Sequence, residues 1–449
     1  MTQQISETLS TASEQVFSRA KAAGAEADLI VLEGESLSLK ANEGELEEHT
    51  VSNTQTFGVR VIKDDKVGIA YSEASDAESL QWMVDQALQN ATYSAVEPDE
   101  KILEYQQSLR SDDAIFYPED TGTVDEKIEM VLELEKGLVS KDRIKSSPYN
   151  GVAESSSSRY IFSSAGLNAA SRSRMVYAYA YALAEEGEKN AMEGTGQMFR
   201  LTKELSIPTL IDEVADLSLN MLDGKPVPSK HYDVIFDREC QVELFSVFSM
   251  VLSGKAAKDG INPWREKIGE QVADSRLQYW DKPLLMDGFG YSLFDDEGTA
   301  AADTPFVVDG VFQNMMHNSV TAKHFGVKTS GHASRGARST LGVGYHQLVI
   351  GEGTAAAAEL NAGEYIEVTS MAGLHSGANP ISGDFSLGVS GFLCRDGQRV
   401  QPVRGITVAG NFYKMLNQIQ CIGDEQFWNW ERSALMPSIR FADIAISGE

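Results

Sequence analysis

Cysteine is scarce in this chain, and long apolar runs are absent from it. Cys240, Cys394 and Cys421 are odd in number and far apart, which excludes a disulfide framework and a cysteine zinc cluster and indicates free thiols in a reducing cytoplasm. No apolar run approaches the ~18 residues that span a bilayer, and the start MTQQISETLSTASEQVF lacks the segments of a signal peptide. We therefore expect a cytoplasmic protein that does not enter a membrane.

Basic residues are also few. The 38 lysines and arginines against 66 acidic residues leave a net charge of −28, spread along the chain without an acidic tail. Nucleic-acid binding depends on clustered cations that neutralise phosphates. The basic stretch with Arg335 and Arg338 near His332 is too thin for that purpose. The composition therefore predicts no nucleic-acid partner.

The first half of the chain combines helical periodicity with short alternating strands. Helices are predicted over residues 6–23, 76–94 and 124–140, and strands lie between and after them. Glycine- and aspartate-rich turns between the strands favour antiparallel connections. We predict an N-terminal α+β domain over residues 1–225, with an antiparallel sheet and flanking helices.

The second half is richer in glycine and in short strands. The loop DGKPVPSKHYDVIF places a domain boundary near residue 225, so that a second domain covers residues 226–449. Two hairpins are predicted at Asp309-Gly310 and Asp396-Gly397, because this dipeptide favours tight turns. The prediction is a mainly antiparallel, open barrel-like β domain that contains a buried helix over residues 239–253.

That helix, VELFSVFSMVLSG at residues 242–254, is apolar almost all round. On a helical wheel Phe245, Phe248 and Leu252 share one face, whereas a stripe of small or weakly polar residues runs along another. The stripe consists of Ser246, Ser249, Met250 and Ser253. Small residues on such a face let another group approach closely, so the stripe is either ordinary core or the wall of a site.

Two other motifs allow a functional and a plainer interpretation. The stretch GEGTAA at residues 351–356 matches a dinucleotide-binding loop, but it has no βαβ context, so a glycine turn is the better interpretation. Asp295, Asp296 and Glu297 could be an acid/base cluster, but capping of a turn is favoured.

Histidines offer a second possible site. His317 and His324 are seven residues apart, and His332, His375 and Asp384 follow in sequence. Two of these histidines and a carboxylate could hold zinc. Structural or exposed histidines are the favoured interpretation, because a histidine pair at helical spacing lacks an adjacent third ligand.

Three blocks carry a resemblance to a known family. FDDEGTAAADTPFVVDGVF, NPISGDFSLGVSGFLCRDGQRVQPVRGITVAGNFYKML and IGDE resemble the TldD/PmbA family, as do GAEADLIV and FGVRVIKDDKVGIAYSEAS near the start. Within that family the chain is similar to the PmbA branch, also called TldE. The resemblance covers most of the chain.

The resemblance implies a peptidase assembly in which the TldD branch holds the metal. That branch carries an HExxxH helix and a cysteine near its C-terminus as metal ligands. Matched through Gly254, the two histidines and the acid are replaced here by Phe245, Met250 and Ser246. The segment DEQFWNWERSALMPSIRFADIAIS also lacks a cysteine. The resemblance therefore implies no metal in this chain and zinc in a TldD-like partner.

The function so implied is that of a non-catalytic subunit in a cytoplasmic metallopeptidase complex acting on unfolded or small peptides. A heterodimer with a TldD-like chain is expected, and a homodimer could also form. His332, Ser376, Asn379 and Asp384 are the candidates for peptide binding. Two alternatives remain. One is a self-contained metallopeptidase whose metal is held by His317, His324, His332 or His375. The other is a regulatory protein-binding partner of the gyrase-modulator type.

Overall fold

A computed structural model describes residues 5–105 and 108–449, so residues 1–4 and 106–107 of the predicted first domain lie outside the described residues. The longer helices are α1 (Glu7–Ala22), α2 (Ala77–Tyr93), α4 (Val124–Val139), α5 (Ile207–Asn220), α6 (Arg238–Val247) and α8 (Ser319–Phe325). The short ones are α3 (Asp113–Phe116), α7 (Gly254–Lys258), α9 (Ala357–Leu360), α10 (Leu374–Gly377) and α11 (Phe412–Met415). No helix in the described part of the chain is long and apolar enough to cross a membrane.

The strands fall into two large sheets. The first sheet contains β1 (Glu26–Asn42), β2 (Glu45–Lys63), β3 (Lys66–Ser72), β4 (Ser108–Arg110), β5 (Ile144–Ser163), β6 (Asn168–Glu186) and β7 (Lys189–Phe199). The second contains β8 (Lys230–Phe236), β9 (Tyr279–Asp281), β10 (Thr304–Val308), β11 (Val311–Phe312), β14 (Leu348–Ile350), β15 (Glu364–Ala372), β16 (Asp384–Arg395), β17 (Gln398–Asn411), β18 (Ile419–Trp428) and β19 (Ala434–Ser447). A separate pair is formed by β12 (Ala333–Ser334) and β13 (Gly342–Val343).

The first sheet is antiparallel except where the short β4 runs parallel to β6. Side chains alternate across it, as a strand requires. On β6, Ala178, Ala180 and Ala182 are buried in the same core as α4 and α5, whereas α1 and α2 cover β1 and β2. The predicted N-terminal antiparallel sheet with flanking helices is confirmed.

The second sheet curls on itself. Strands β8, β15, β16, β17 and β19 form a closed ring, because β19 pairs with β8 as well as with β17. Most pairs are antiparallel, but β8–β15 and β14–β19 are parallel. The mainly antiparallel, barrel-like C-terminal domain is thus confirmed, and the ring that was expected to be open closes.

Both predicted hairpins are present. Asp309 and Gly310 have φ angles of 50° and 74° between β10 and β11, and Asp396 and Gly397 have φ angles of 47° and 79° between β16 and β17. Two consecutive residues with positive φ match the twist of antiparallel strands, and Asp-Gly tolerates that conformation. The local sequence therefore determines these turns.

The buried helix is shorter than predicted. Helix α6 begins after Asp237, whose carboxylate accepts a hydrogen bond from the Cys240 amide, and it ends at Val247 instead of residue 253. A 3₁₀ turn follows at Ser249–Leu252. Ser253 then caps α7 by accepting a hydrogen bond from the Ala256 amide. Serine side chains that bond to nearby backbone compete with a continuous helix, so this helix breaks where its serines lie.

A buried network of charges joins the first sheet to a loop of the second half of the chain. Arg335 from the second half contacts the carboxylate of Asp28 on β1 and donates to the Gly58 carbonyl on β2 over 3.1 Å. Arg60 also donates to Asp28, over 2.8 Å. The chain passes from one sheet to the other between Asn220, the end of α5, and Lys230. The boundary at residue 225 falls in this interval and stays a prediction.

Candidate functional site

The first position of the metal motif, Phe245, lies inside the core. Its ring packs edge-to-face against Tyr279 and Phe412, with centroids 5.5 and 5.1 Å away, and the residue is 1% exposed. The neighbouring Phe248 stacks on Phe412 at 4.6 Å. The apolar face of α6 is therefore core, as the helical wheel predicts.

The side chains at the other two positions, Ser246 and Met250, lie at the margin of that core. Both are half-buried, as are Ser249 and Ser253, so the predicted stripe faces away from the packed aromatic rings. The Ser246 hydroxyl is 3.4 Å from the Tyr345 hydroxyl. A serine hydroxyl, a thioether and a phenyl ring do not make a catalytic zinc site, which needs imidazoles or anionic ligands.

A cluster of ligand-type side chains lies close to this helix. Asp281 ends β9, and His346 precedes β14, which pairs with β9 through Leu348. One carboxylate oxygen of Asp281 is 2.9 Å from Nε2 of His332 and 2.9 Å from Nδ1 of His346. The three ligand atoms lie within 4.8 Å of one another. This is the one such group of three or more in the part of the chain that the structure describes.

The cluster is buried and strongly bonded. Asp281 is fully buried and His332 is 1% exposed. The second oxygen of Asp281 accepts from the backbone amide of Gln347 over 2.6 Å. Burial raises the pKa of the Asp281 carboxyl, but the hydrogen bonds from both imidazoles outweigh it and hold that pKa well below its usual range. The carboxylate is therefore an anion at neutral pH.

Of this group, only His332 is a candidate from the sequence alone. Asp281 is 51 residues from His332 and 65 from His346, so no local spacing motif exists. The pairing of β9 with β14 brings Asp281 and His346 together, and only a prediction of that pairing could have found them.

The four predicted histidines do not assemble. His317 is buried with its Nδ1 3.1 Å from Thr321 Oγ1, and it lies just before α8, whereas His324 lies on that helix and is exposed. His375 is also exposed, on α10. These four histidines and Asp384 form no group of three or more ligand atoms with one another in the described part of the chain. Zinc binding by any of these histidines stays a prediction.

The peptide-binding candidates also differ in exposure. His332 is enclosed, whereas Ser376, Asn379 and Asp384 are exposed around the turn that leads into β16. The Asn379 side chain accepts hydrogen bonds from the amides of residues 381 and 382, and the Asp384 carboxylate accepts one from Asn411 over 2.8 Å. These bonds shape the turn. Their role in peptide binding stays a prediction.

The acidic residues of FDDEGTA form caps. Asp295 accepts hydrogen bonds from the backbone amides of Glu297, Thr299 and Ala333, and Glu297 accepts one from the amide of Ser319 at the start of α8. Burial raises the pKa of Asp295 to about 7. The turn-capping interpretation accounts for these acids.

The glycines of GEGTAA do not open a crossover helix. A Cβ on Gly353 would lie closer to the Ile422 carbonyl oxygen than the two atoms can approach. The helix that follows, α9, has four residues. The loop is a place of close backbone contact, as the interpretation as a glycine turn predicts.

A cavity of about 640 Å³ lies between the first sheet and the loop that carries His346. Its wall includes Arg159 and Arg172, several serines of β5 and β6, and Tyr345 beside His346. Arg159 pairs with Asp296 over 2.5 Å, and the guanidinium of Arg172 stacks 3.4 Å above the ring of Tyr117. The cavity therefore reaches the edge of the Asp281 cluster.

Comparison with known proteins identifies the chain's relatives. Family models match in three parts: the PmbA/TldA metallopeptidase domain 1 at residues 27–91, the central domain at 117–222 and the C-terminal domain at 229–448. The metalloprotease PmbA of Escherichia coli O157:H7 is 24% identical over 430 residues, covering 94% of this chain and 91% of that protein. The PmbA homologue of Haemophilus influenzae is 26% identical over 424 residues, covering 90% and 88%.

Solved structures share the fold over almost the whole chain. TldE from Thermococcus kodakarensis superposes with a TM-score of 0.85 at 19% identity, covering 98% of this chain and all of that one. A Thermotoga maritima protein described as a candidate modulator of a DNA gyrase superposes with a TM-score of 0.87 at 23% identity, with the same coverage. With all three domain models matched in order, the chain belongs to the PmbA/TldD metallopeptidase family.

Proposed function

We propose that this chain is the PmbA/TldE-like subunit of a TldD/TldE-type metallopeptidase complex that acts on unfolded or small peptides. The proposal rests on which residues occupy the positions of the metal ligands and the acid on this helix. Phe245 is core, and Ser246 and Met250 cannot replace an acid and an imidazole. The names of the relatives, metalloprotease PmbA and TldE, support the assignment to this branch of the family.

The catalytic zinc belongs to a TldD-like partner in this proposal. Hydrolysis by zinc requires ligands that leave one position open and an acid or base that moves a proton of the bound water. Phe245, Ser246 and Met250, at the metal-helix positions of this chain, supply neither. Because Cys240, Cys394 and Cys421 are free thiols, a reducing compartment suits the chain, and we place the complex in the cytoplasm.

The contribution of this chain is then to hold peptide. The stripe of Ser246, Ser249, Met250 and Ser253 is half-buried, and the candidates Ser376, Asn379 and Asp384 are exposed around the turn that leads into β16. Strand β16 itself is paired on both sides, by β15 and β17. In this proposal a peptide therefore contacts the exposed turn and the stripe.

The experiment combines the chain with the TldD-like paralogue from the same genome. The two should co-purify, and the mixture should cleave an unfolded peptide that neither chain cleaves alone. Met250→Lys should lower the activity of the mixture severely while lowering the melting temperature by only a few degrees. The reason is that a charge on a half-exposed stripe keeps access to water.

Phe248→Lys is the matched control, two residues away on the core face. An unpaired charge in that core costs several kcal/mol, enough to exhaust a typical stability of ~5 to 15 kcal/mol, and should unfold the domain. Equal and severe losses of stability in both variants would show that the stripe is core. Peptidase activity of the chain alone, abolished by a chelator, would refute the accessory role.

A further inference from the structure

The Asp281 cluster has the donor set of a metal site. Two imidazole nitrogens and one carboxylate oxygen face one another, each nitrogen 2.9 Å from the oxygen. Nitrogen and oxygen ligands of this kind suit zinc and related divalent ions of the first transition row. The three residues come from β9, from the segment before β12 and from the segment before β14. The pairing of β9 with β14 fixes Asp281 and His346 relative to each other.

The surroundings also match those of a metal ligand set. The other nitrogen of His332, Nδ1, is 2.8 Å from the Ser330 hydroxyl, which fixes the ring orientation. The second oxygen of Asp281 is held by the backbone amide of Gln347. Outer partners that orient each ligand in this way are typical of metal sites. They also keep Nε2 of His332 directed at the carboxylate.

An entry path exists on one side. The His346 side chain is 14% exposed and lines the cavity of about 640 Å³, whereas the side chains of Asp281 and His332 are enclosed. An ion can therefore reach the cluster from the cavity, and a fourth ligand, such as water, can approach from the same side.

We propose that Asp281, His332 and His346 bind a divalent transition-metal ion, with zinc as the representative. Tetrahedral zinc with bonds of about 2.0 to 2.1 Å separates its ligand atoms by about 3.3 Å. The two histidines therefore move outward by roughly 0.4 Å from their hydrogen-bonded distances to Asp281 when the ion enters. This site is separate from the metal-helix positions, and it requires no TldD-like partner.

The test uses the isolated full chain with any affinity tag removed. The protein is stripped with a chelator, dialysed, and titrated with Zn²⁺ in competition with a chromophoric chelator. The expected result is one zinc ion per chain. Titration with Co²⁺ should give the visible absorption of a site with nitrogen and oxygen ligands.

Three variants assign the ion to the cluster. His346→Asn removes a ligand from the least buried position and should weaken zinc binding by more than about 100-fold. Ser330→Ala removes only the outer partner of His332 and should weaken it by roughly 10- to 100-fold. His375→Asn, on the exposed α10, is the matched control and should bind like the unaltered chain. Circular dichroism verifies that each variant is folded.

Two results would overturn the site. One is an unaltered chain that retains no zinc in the competition titration. The other is a folded His346→Asn variant that binds zinc as tightly as the His375→Asn control. Both are measured without a partner or a peptide, so they are independent of the success or failure of the proposed peptidase complex.

Discussion

At the scale of the residue, His317 shows how burial changes the chemistry of a side chain. The residue is 7% exposed beside α8, and burial, together with the nearby His332, lowers its pKa to about 4 from the ordinary 6.5. Folded protein therefore keeps this imidazole neutral at pH values where the unfolded chain is protonated. The stability that follows is fully present above pH 6.5 and is lost as the pH falls through about 4.

We predict that His317→Gln makes stability less dependent on pH. The unaltered chain should lose roughly 3 kcal/mol through this group as the pH falls from 6.5 toward 4, because each unit of pKa shift corresponds to about 1.4 kcal/mol. The measurement is the free energy of unfolding by urea at several pH values. His324→Gln, on an exposed position, should leave the pH dependence unchanged. An identical slope for His317→Gln and the unaltered chain would contradict the prediction.

At the scale of the element, the loop after β14 depends on a glycine for contact with β18. The Gly353 amide donates to the Gly423 carbonyl over 2.8 Å, and Ala355 bonds to Ile422. There is no space for a side chain at Gly353 because the Ile422 carbonyl occupies it.

Gly353→Ala should therefore destabilise the second domain. Forcing a methyl group into a packed contact costs about 1 to 3 kcal/mol, which urea unfolding can measure. Gly388→Ala is the control, because a Cβ there would meet only Ala372, at 4.0 Å. A Gly353→Ala variant as stable as this control would show that the loop can move aside.

Features that neighbouring residues determine could be predicted from the sequence. Features that depend on contacts between residues far apart in the chain could not. The Asp309 and Asp396 turns follow from their own dipeptides, and the apolar face of α6 follows from its periodicity. The end of α6 at Val247 was missed because side-chain bonds of Ser249 and Ser253 outweigh the helical pattern. The Asp281 cluster was missed because Asp281 lies 51 and 65 residues from His332 and His346, and its proximity to His346 depends on the pairing of β9 with β14.

At the scale of the whole molecule, the two halves are joined by Arg335. Its guanidinium is buried between Asp28 and the Gly58 carbonyl. Asp28 is shared with Arg60, which also pairs with Glu100 over 2.7 Å. Ala337 lies so close to Gly58 that no side chain fits there.

Arg335→Met should weaken the contact between the two halves of the chain. Removing one member of a buried charge pair costs about 3 to 5 kcal/mol of folding free energy. We expect this loss to weaken the contact between the two halves. We expect earlier proteolysis in the segment 221–229 and two separate unfolding transitions in calorimetry. Arg338→Met is the control, because that exposed arginine pairs with exposed Glu73 and should cost at most about 1 kcal/mol. A single transition at an unchanged temperature would refute the role of Arg335.

The closed ring of β8, β15, β16, β17 and β19 also has a consequence for synthesis on the ribosome. His231 on β8 and Asp443 on β19 are 212 residues apart along the chain, yet their side chains are 2.8 Å apart. At roughly 5 to 20 residues per second, β8 waits about 10 to 40 seconds for its partner strand. The first sheet, complete by Phe199, can fold during that interval. The nascent second domain meanwhile exposes unpaired strand edges, which is when a chaperone would be needed most.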